Sequence, residues 1–305
     1  MLAQTDNPFT VDPWAFVPHP EVWLLVAFLT GAYVYMVRVI GPKAVAPGES
    51  PVSRRNIRAF TAAMLILWVS SDWPIHDISE DYLYWVHMFQ HMALSFFVPP
   101  LALIATPAWL LRTIVGQGAG YRMLKRFCHP VVAGVLFNGV AMLTHIPLLV
   151  NASVGDGFWN GALHYGLHVA VVVASLLMWM PVIGPIEEFR IGVPGKMIYL
   201  FLQSVVPTVP AAWLTFAEGS VYNAYETPIR LWGISVTSDQ QLAGAVMKLV
   251  GGMYLWAIVI YIFATQFAKG FGTRQDLRRP VEPPLTTADV ERAFAASTPV
   301  TEDLR

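Results

Sequence analysis

Seven long apolar runs alternate with short polar stretches along the chain, at about 22–40, 58–75, 82–105, 130–150, 161–183, 195–215 and 241–266. Each is near or above the ~18–20 residues that a helix needs to cross a hydrocarbon core of about 30 Å. The pattern predicts an all-α, polytopic membrane helix bundle with seven transmembrane helices. Pro99 and Pro100 in the third run, and Pro207 and Pro210 in the sixth, remove backbone donors and predict kinks or early ends there. The stretch 216–240 is too polar to cross, and its Tyr222, Tyr225 and Trp232 predict an outer loop with an interfacial part. Ser238, followed three residues later by Gln241, has the form of a capping box and is expected to open the seventh span. Residues 1–21 carry prolines and acids but no Lys or Arg, which predicts an extracytoplasmic segment ahead of an uncleaved first span. Residues 22–268 then form the membrane domain. Residues 269–305 are rich in Pro and charge and predict a mobile cytoplasmic tail, with a short helix around 287–296.

Charge gives the predicted bundle a direction. Arg38, Lys43, Arg54, Arg55 and Arg58 follow the first run, and Arg112, Arg122, Lys125 and Arg126 follow the third. Arg190 and Lys196 follow the fifth, and Lys269, Arg274, Arg278, Arg279, Arg292 and Arg305 follow the seventh. Thus 17 of the 19 cations share one side; Arg230 stands on the other and Lys248 within a run. The positive-inside rule places the N-terminus outside and the C-terminus in the cytoplasm. Trp14, Trp23, Trp73, Trp159 and Trp232 then fall near outer ends, and Trp109 and Trp179 near inner ends, where they serve as interfacial anchors or as ordinary packing.

Composition agrees: 55% of the residues are hydrophobic and 13% charged, where a soluble chain is about one-quarter charged. A net charge of −1 without a long basic run excludes nucleic acid as a partner. The single cysteine, Cys128, excludes an internal disulfide and any two-thiolate metal site.

Once the direction is set, the histidines become informative, because seven of eight belong to the outer side and only His129 does not. His87 and His91 open the third span, and His164 and His168 the fifth. Each pair has i,i+4 spacing, so both imidazoles share a helical face. Polar groups at such depth face a bundle interior or a wet cavity and mark function. The two pairs together point to a metal or cofactor site, whereas each histidine alone reads as a hydrogen-bonded bundle residue. His76 and His145 lie just above as further candidates. Met88, Met92 and Met247, like Met64 and Met142, add thioethers, which favour copper over Mg²⁺ or Ca²⁺, although methionine is also a common gap-filler. Asp72 and Lys248 approach from the outer side and could pair near the histidines, or could reach back to the headgroups. Asp239, Gln240 and Gln241 are explained by capping of the last span.

No H-E-x-x-H, nucleophile elbow or phosphate loop is present: Met88 and Tyr165 stand where a zinc protease needs glutamate. What is present resembles the CtaG-like family of cytochrome c oxidase assembly factors, in its seven-span, caa-type oxidase branch. The resemblance lies in the order of Trp73-Pro74, His87-Met88-Phe89-Gln90-His91-Met92, Pro99-Pro100, Thr106-Pro107-Ala108-Trp109, His164-x-x-x-His168, Met178-Trp179-Met180-Pro181 and Asp239-Gln240-Gln241-Leu242-Ala243-Gly244. It covers about residues 20–268. It implies a bacterial cytoplasmic (inner) membrane protein, not an enzyme, that matures haem–copper oxidases and supplies copper to the CuB centre. Its partners would be oxidase subunit I, membrane lipid and a periplasmic copper donor, and its matching positions are His87, His91, His164, His168 and Asp239. Two alternatives stay open at this point: a haem-binding electron-transfer protein, since imidazoles from two helices can hold haem iron, and an ion or proton transporter using Asp72, Lys248 and the histidines as a relay.

Overall fold

A computed structural model describes residues 12–155, 157–227, 229–276 and 287–296 of the chain. Among them the structure is helical, with no strand. In chain order, α1 is Pro20–Ala44, α2 Arg54–Ser71, α3 Ile75–Asp81, α4 Tyr84–Ala105, α5 Ala108–Val115 and α6 Ala119–Phe127. There follow α7 (Pro130–Leu143), α8 (Pro147–Ser153), α9 (Phe158–Ile183), α10 (Val193–Thr215), α11 (Val236–Ala268) and α12 (Thr287–Ala296). Two units are distinguished. Met1–Ile260 holds α1 to α10 and most of α11, and Tyr261–Arg305 holds the remainder of that helix and α12. The expected short helix of the tail is therefore observed as α12, whereas the mobility expected around it, and most of the N-terminal segment, fall on residues outside those described.

Five helices are long and apolar enough to cross a membrane: α1, α4, α9, α10 and α11. The pair α6 and α7 makes a sixth candidate if the two, bent by 71°, count as one span. The second apolar run became α2, an 18-residue helix whose first turns carry Arg54, Arg55 and Arg58. Length and composition alone thus leave α2 outside the set. It is well started nonetheless, because the Ser53 hydroxyl accepts from Asn56 N–H and the Asn56 side chain accepts from Ser53 N–H.

The prolines act as their chemistry requires. α4 winds as a π turn over Ala93–Phe97 immediately before the donor-less Pro99 and Pro100. α10 breaks at Pro207 into Val193–Val205 and Thr208–Thr215. α4 is the central helix and packs against α2, α9 and α11, so most of its surface is buried, whereas α1 lies at the rim and buries little. Where α11 meets the second half of α10, a Cβ on Gly244 would stand 2.5 Å from Ala211 O. Only glycine permits that approach of two backbones.

Three sequence expectations fail here. The last span opens at Val236, not near Ser238: Ser235 is the cap and its hydroxyl accepts Ser238 N–H at 3.1 Å. Tyr222 and Tyr225 do not serve the interfacial part expected of the segment ahead of it, because both are fully buried against Tyr84, whereas Trp232 is exposed. Trp179 is no interfacial anchor either; it is buried and donates to Ser95 O at 3.1 Å.

Candidate metal centre

α4 and α9 bring the two histidine pairs face to face. Within each helix the i,i+4 rings are neighbours, with centroids 4.5 Å apart for His87 and His91 and 4.3 Å for His164 and His168. Across the helices, His91 Nε2 and His168 Nε2 are 2.9 Å apart, and the rings of His87 and His164 are 5.5 Å apart. Nitrogens of His87, His164 and His168 all lie within 4.8 Å of one another. Three imidazoles on one ion at about 2.0–2.1 Å have nitrogens roughly 3.4 Å apart if tetrahedral, so small ring rotations separate this arrangement from a bound one. A cavity of about 20 Å³ lies among the four rings, enough for one water or one ion.

Glu80 is the residue that sequence reasoning missed. It sits on α3, and the turn through Tyr82 and Leu83 folds α3 back over the start of α4. Its Oε1 accepts from His87 Nδ1 at 3.2 Å and stands 3.0 Å from His164 Nε2. The first contact fixes the His87 tautomer, leaving Nε2 with its lone pair toward the other imidazoles. The second is close but not aligned as a hydrogen bond, so His164 Nε2 is buried and without a hydrogen-bond partner among the described residues. Burial acts to raise the Glu80 carboxyl, yet the nitrogens of His164 and His87 outweigh it and hold the group well below the usual carboxylate range. A cluster of imidazoles with a carboxylate at its edge, a buried nitrogen without a hydrogen-bond partner and an ion-sized cavity suits a transition-metal cation. The signal in the sequence was an acid in a short polar connection seven residues before His87.

Above this cluster a cavity of about 380 Å³ reaches Glu80, Asp81, His76 and His164. His76 meets His164 by its ring, 6.2 Å between centroids, and burial lowers its pKa. His19, from the turn before α1, packs edge-on against His76 at 4.7 Å and binds Asp77 Oδ1 at 3.1 Å.

The family model for the cytochrome c oxidase caa3 assembly factor (Caa3_CtaG) matches residues 31–269. The chain belongs to that family. The match takes in all four clustered histidines, Glu80 and Asp239, and together with the apolar helices it makes this Caa3_CtaG chain a membrane protein concerned with oxidase assembly. No curated protein and no solved structure matches it.

The remaining candidate residues of this Caa3_CtaG chain divide into those near the cluster and those that hold it in place. His145 and Met88 meet each other, Nε2 to Sδ, at 3.3 Å on the His91 side. Met92, Met247 and Lys248 line a neighbouring cavity together with His91 and His145. Asp72 and Lys248 do not pair. Asp72 Oδ2 accepts from Trp23 Nε1 at 2.7 Å and Trp68 Nε1 at 2.6 Å, and Oδ1 accepts from Trp73 N–H at 2.9 Å. Lys248 instead donates to Thr208 Oγ1 at 2.6 Å and Ser204 O at 3.4 Å. The indoles of Trp68, one turn back, and Trp23, on α1, satisfy the acid together with the Trp73 backbone, and the break at Pro207 frees the carbonyl of Ser204 for the lysine.

Asp239 and its neighbours are staples between elements. Asp239 is fully buried and accepts from Tyr84 N–H and Trp85 N–H, both at 3.0 Å, which are first donors of α4, and from Arg230 Nη2 at 3.2 Å. Gln240 Oε1 accepts from Val221 N–H at 2.7 Å, and Gln241 Nε2 donates to Ala217 O at 2.9 Å. Asp239 therefore caps α4 from another helix, three residues ahead of His87.

Proposed function

We propose that this protein is a non-catalytic assembly factor of the bacterial cytoplasmic membrane that holds copper among His87, His164 and His168, with His91 beside them, and hands it to subunit I of a haem–copper oxidase for its CuB centre. The observation that carries this reading is the convergence of three imidazoles around an ion-sized cavity in a chain of an oxidase assembly family. Copper is the cargo, and neutral imidazoles suit it in either oxidation state. The vestibule above Glu80 offers a periplasmic donor an entry with a negative charge at its end.

The ring packing favours an ion over haem: the four imidazoles touch one another at 4.3–5.5 Å between centroids, which leaves no slot for a flat macrocycle. A proton or ion relay through Asp72 and Lys248 is weakened by the separate partners of those two residues.

Cells carrying His87→Ala with His164→Ala in place of wild type should make oxidase whose CuB centre is depleted of copper at unchanged subunit I abundance, read by metal analysis of the purified oxidase. Full CuB occupancy would overturn the supply role.

The orientation belongs to the same proposal. Seven spans, counting α2 and the bent pair α6 and α7, put the histidine cluster on the outer side and the 17 cations on the inner one. A reporter fused after Arg305 should give a cytoplasmic signal, and a periplasmic signal would sink the topology and, with it, delivery from outside.

A further inference from the structure

The geometry points to a second cation position in this molecule, separate from the three imidazoles: we propose that Met88 Sδ and His145 Nε2 together hold a soft monovalent ion of the Cu(I) type. The inference rests on the copper reading above and extends it to a two-position path.

The argument begins with one proton. His145 Nδ1 lies 2.6 Å from Ala141 O, a contact that only an N–H can make with a carbonyl. A neutral imidazole that spends its hydrogen there keeps a bare lone pair on Nε2. That nitrogen faces Met88 Sδ at 3.3 Å, and a thioether has no hydrogen to offer. Two lone-pair donors thus point at each other, and both residues are buried. An imidazolium would supply the missing hydrogen, but a buried cation whose partner is a weak sulfur acceptor is expensive. The His145 backbone is itself held, since Tyr222 Oη donates to His145 O at 2.9 Å.

A shared cation resolves the arrangement. With metal–nitrogen near ~2.0 Å and metal–sulfur near ~2.3 Å, the observed N···S separation corresponds to an angle of about 100° at the ion, close to tetrahedral. The charge and softness of the donors choose the ion: both are neutral, and thioether with imidazole favours Cu(I). Lys248, which lines the cavity beside His145, adds a positive charge that weighs against a divalent ion. Met92 and Met247 border the same cavity, and Met92 Sδ fits there because residue 251 is glycine, where a Cβ would come within 3.1 Å of it.

His91 links the two positions. Its ring is 4.7 Å from that of His168 and 6.4 Å from that of His145, centroid to centroid. An ion leaving the three imidazoles therefore meets His91 next and the Met88–His145 pair after it. The three-imidazole position accepts either oxidation state of copper, whereas the Met88–His145 position selects the reduced ion.

The test is anaerobic titration of the purified full-length protein with Cu(I) and, separately, with Zn(II), combined with copper K-edge absorption. Wild type should bind two equivalents of Cu(I) but one of Zn(II), with a sulfur shell near ~2.3 Å. Met88→Leu, which conserves volume, and His145→Gln should each lose one Cu(I) equivalent and the sulfur shell while keeping Zn(II), whose retention reports an intact fold. A single Cu(I) equivalent in wild type, or a sulfur shell that survives Met88→Leu, would overturn the second position. Failure of the three-imidazole site reads differently: His168→Ala would then keep its Zn(II), whatever Met88→Leu does.

Discussion

Purified His168→Ala protein should lose the copper that wild type retains in air, with an affinity drop of more than about 100-fold. His168 contributes one of the three mutually close nitrogens and also the 2.9 Å contact that anchors His91. Two imidazoles remaining from three leave the ion short of the coordination number it takes in closed sites. His87→Ala should behave alike, because His87 supplies a nitrogen and also receives the orienting contact of Glu80. Glu80→Gln should weaken binding by about 10–100-fold, the range expected when a carboxylate that fixes a ligand histidine is removed. His129, at the start of α7 and the sole cytoplasmic-end histidine of the proposed topology, provides the control, and its alanine variant should bind as wild type does. Metal analysis after desalting decides the matter. Equal copper in wild type, His168→Ala and His87→Ala would remove the three-imidazole site from consideration, and an absorbing haem in the wild type would replace it with the haem reading.

Asp239→Ala should destabilise the protein by about 3–5 kcal/mol, the magnitude typical of stripping one partner from a buried ion pair. The side chain carries three duties at once: the N–H groups of Tyr84 and Trp85, and the Arg230 guanidinium. Its removal orphans two donors at the start of α4 and strands a cation. Arg230 also donates to Tyr82 O at 3.3 Å, Tyr225 O at 3.0 Å and Ile234 O at 2.9 Å, so the loop over the histidine cluster should loosen with it. Unfolding in detergent measures the stability loss, and metal affinity should fall together with it because His87 lies in the first turn of the helix that Asp239 caps. A variant as stable as wild type would show that water or another acceptor takes over those donors. Asp239 would then be a candidate ligand, as the family resemblance allows, and not a positioning residue.

Legible in the chain alone were the helical class, the main apolar spans, the breaks at Pro99–Pro100 and Pro207, and the pairing of His87 with His91 and of His164 with His168. Each of these follows from local chemistry: hydropathy over a helix length, a missing backbone donor, and the 3.6-residue turn that puts i and i+4 on one face. It also contained the four histidines that the fold gathers, because two similar pairs at similar depth on two helices leave few ways to pack without meeting. The partners that join distant segments came from packing. Glu80 reaches His87 and His164 only because α3 folds back over α4. Asp72 was closer to three indole and backbone donors than to Lys248, a competition that residue types cannot rank. Asp239 looked like a cap for its own helix and is the cap of another, since a carboxylate binds whichever free N–H groups the packing brings to it and carries no record of them in its neighbours along the chain.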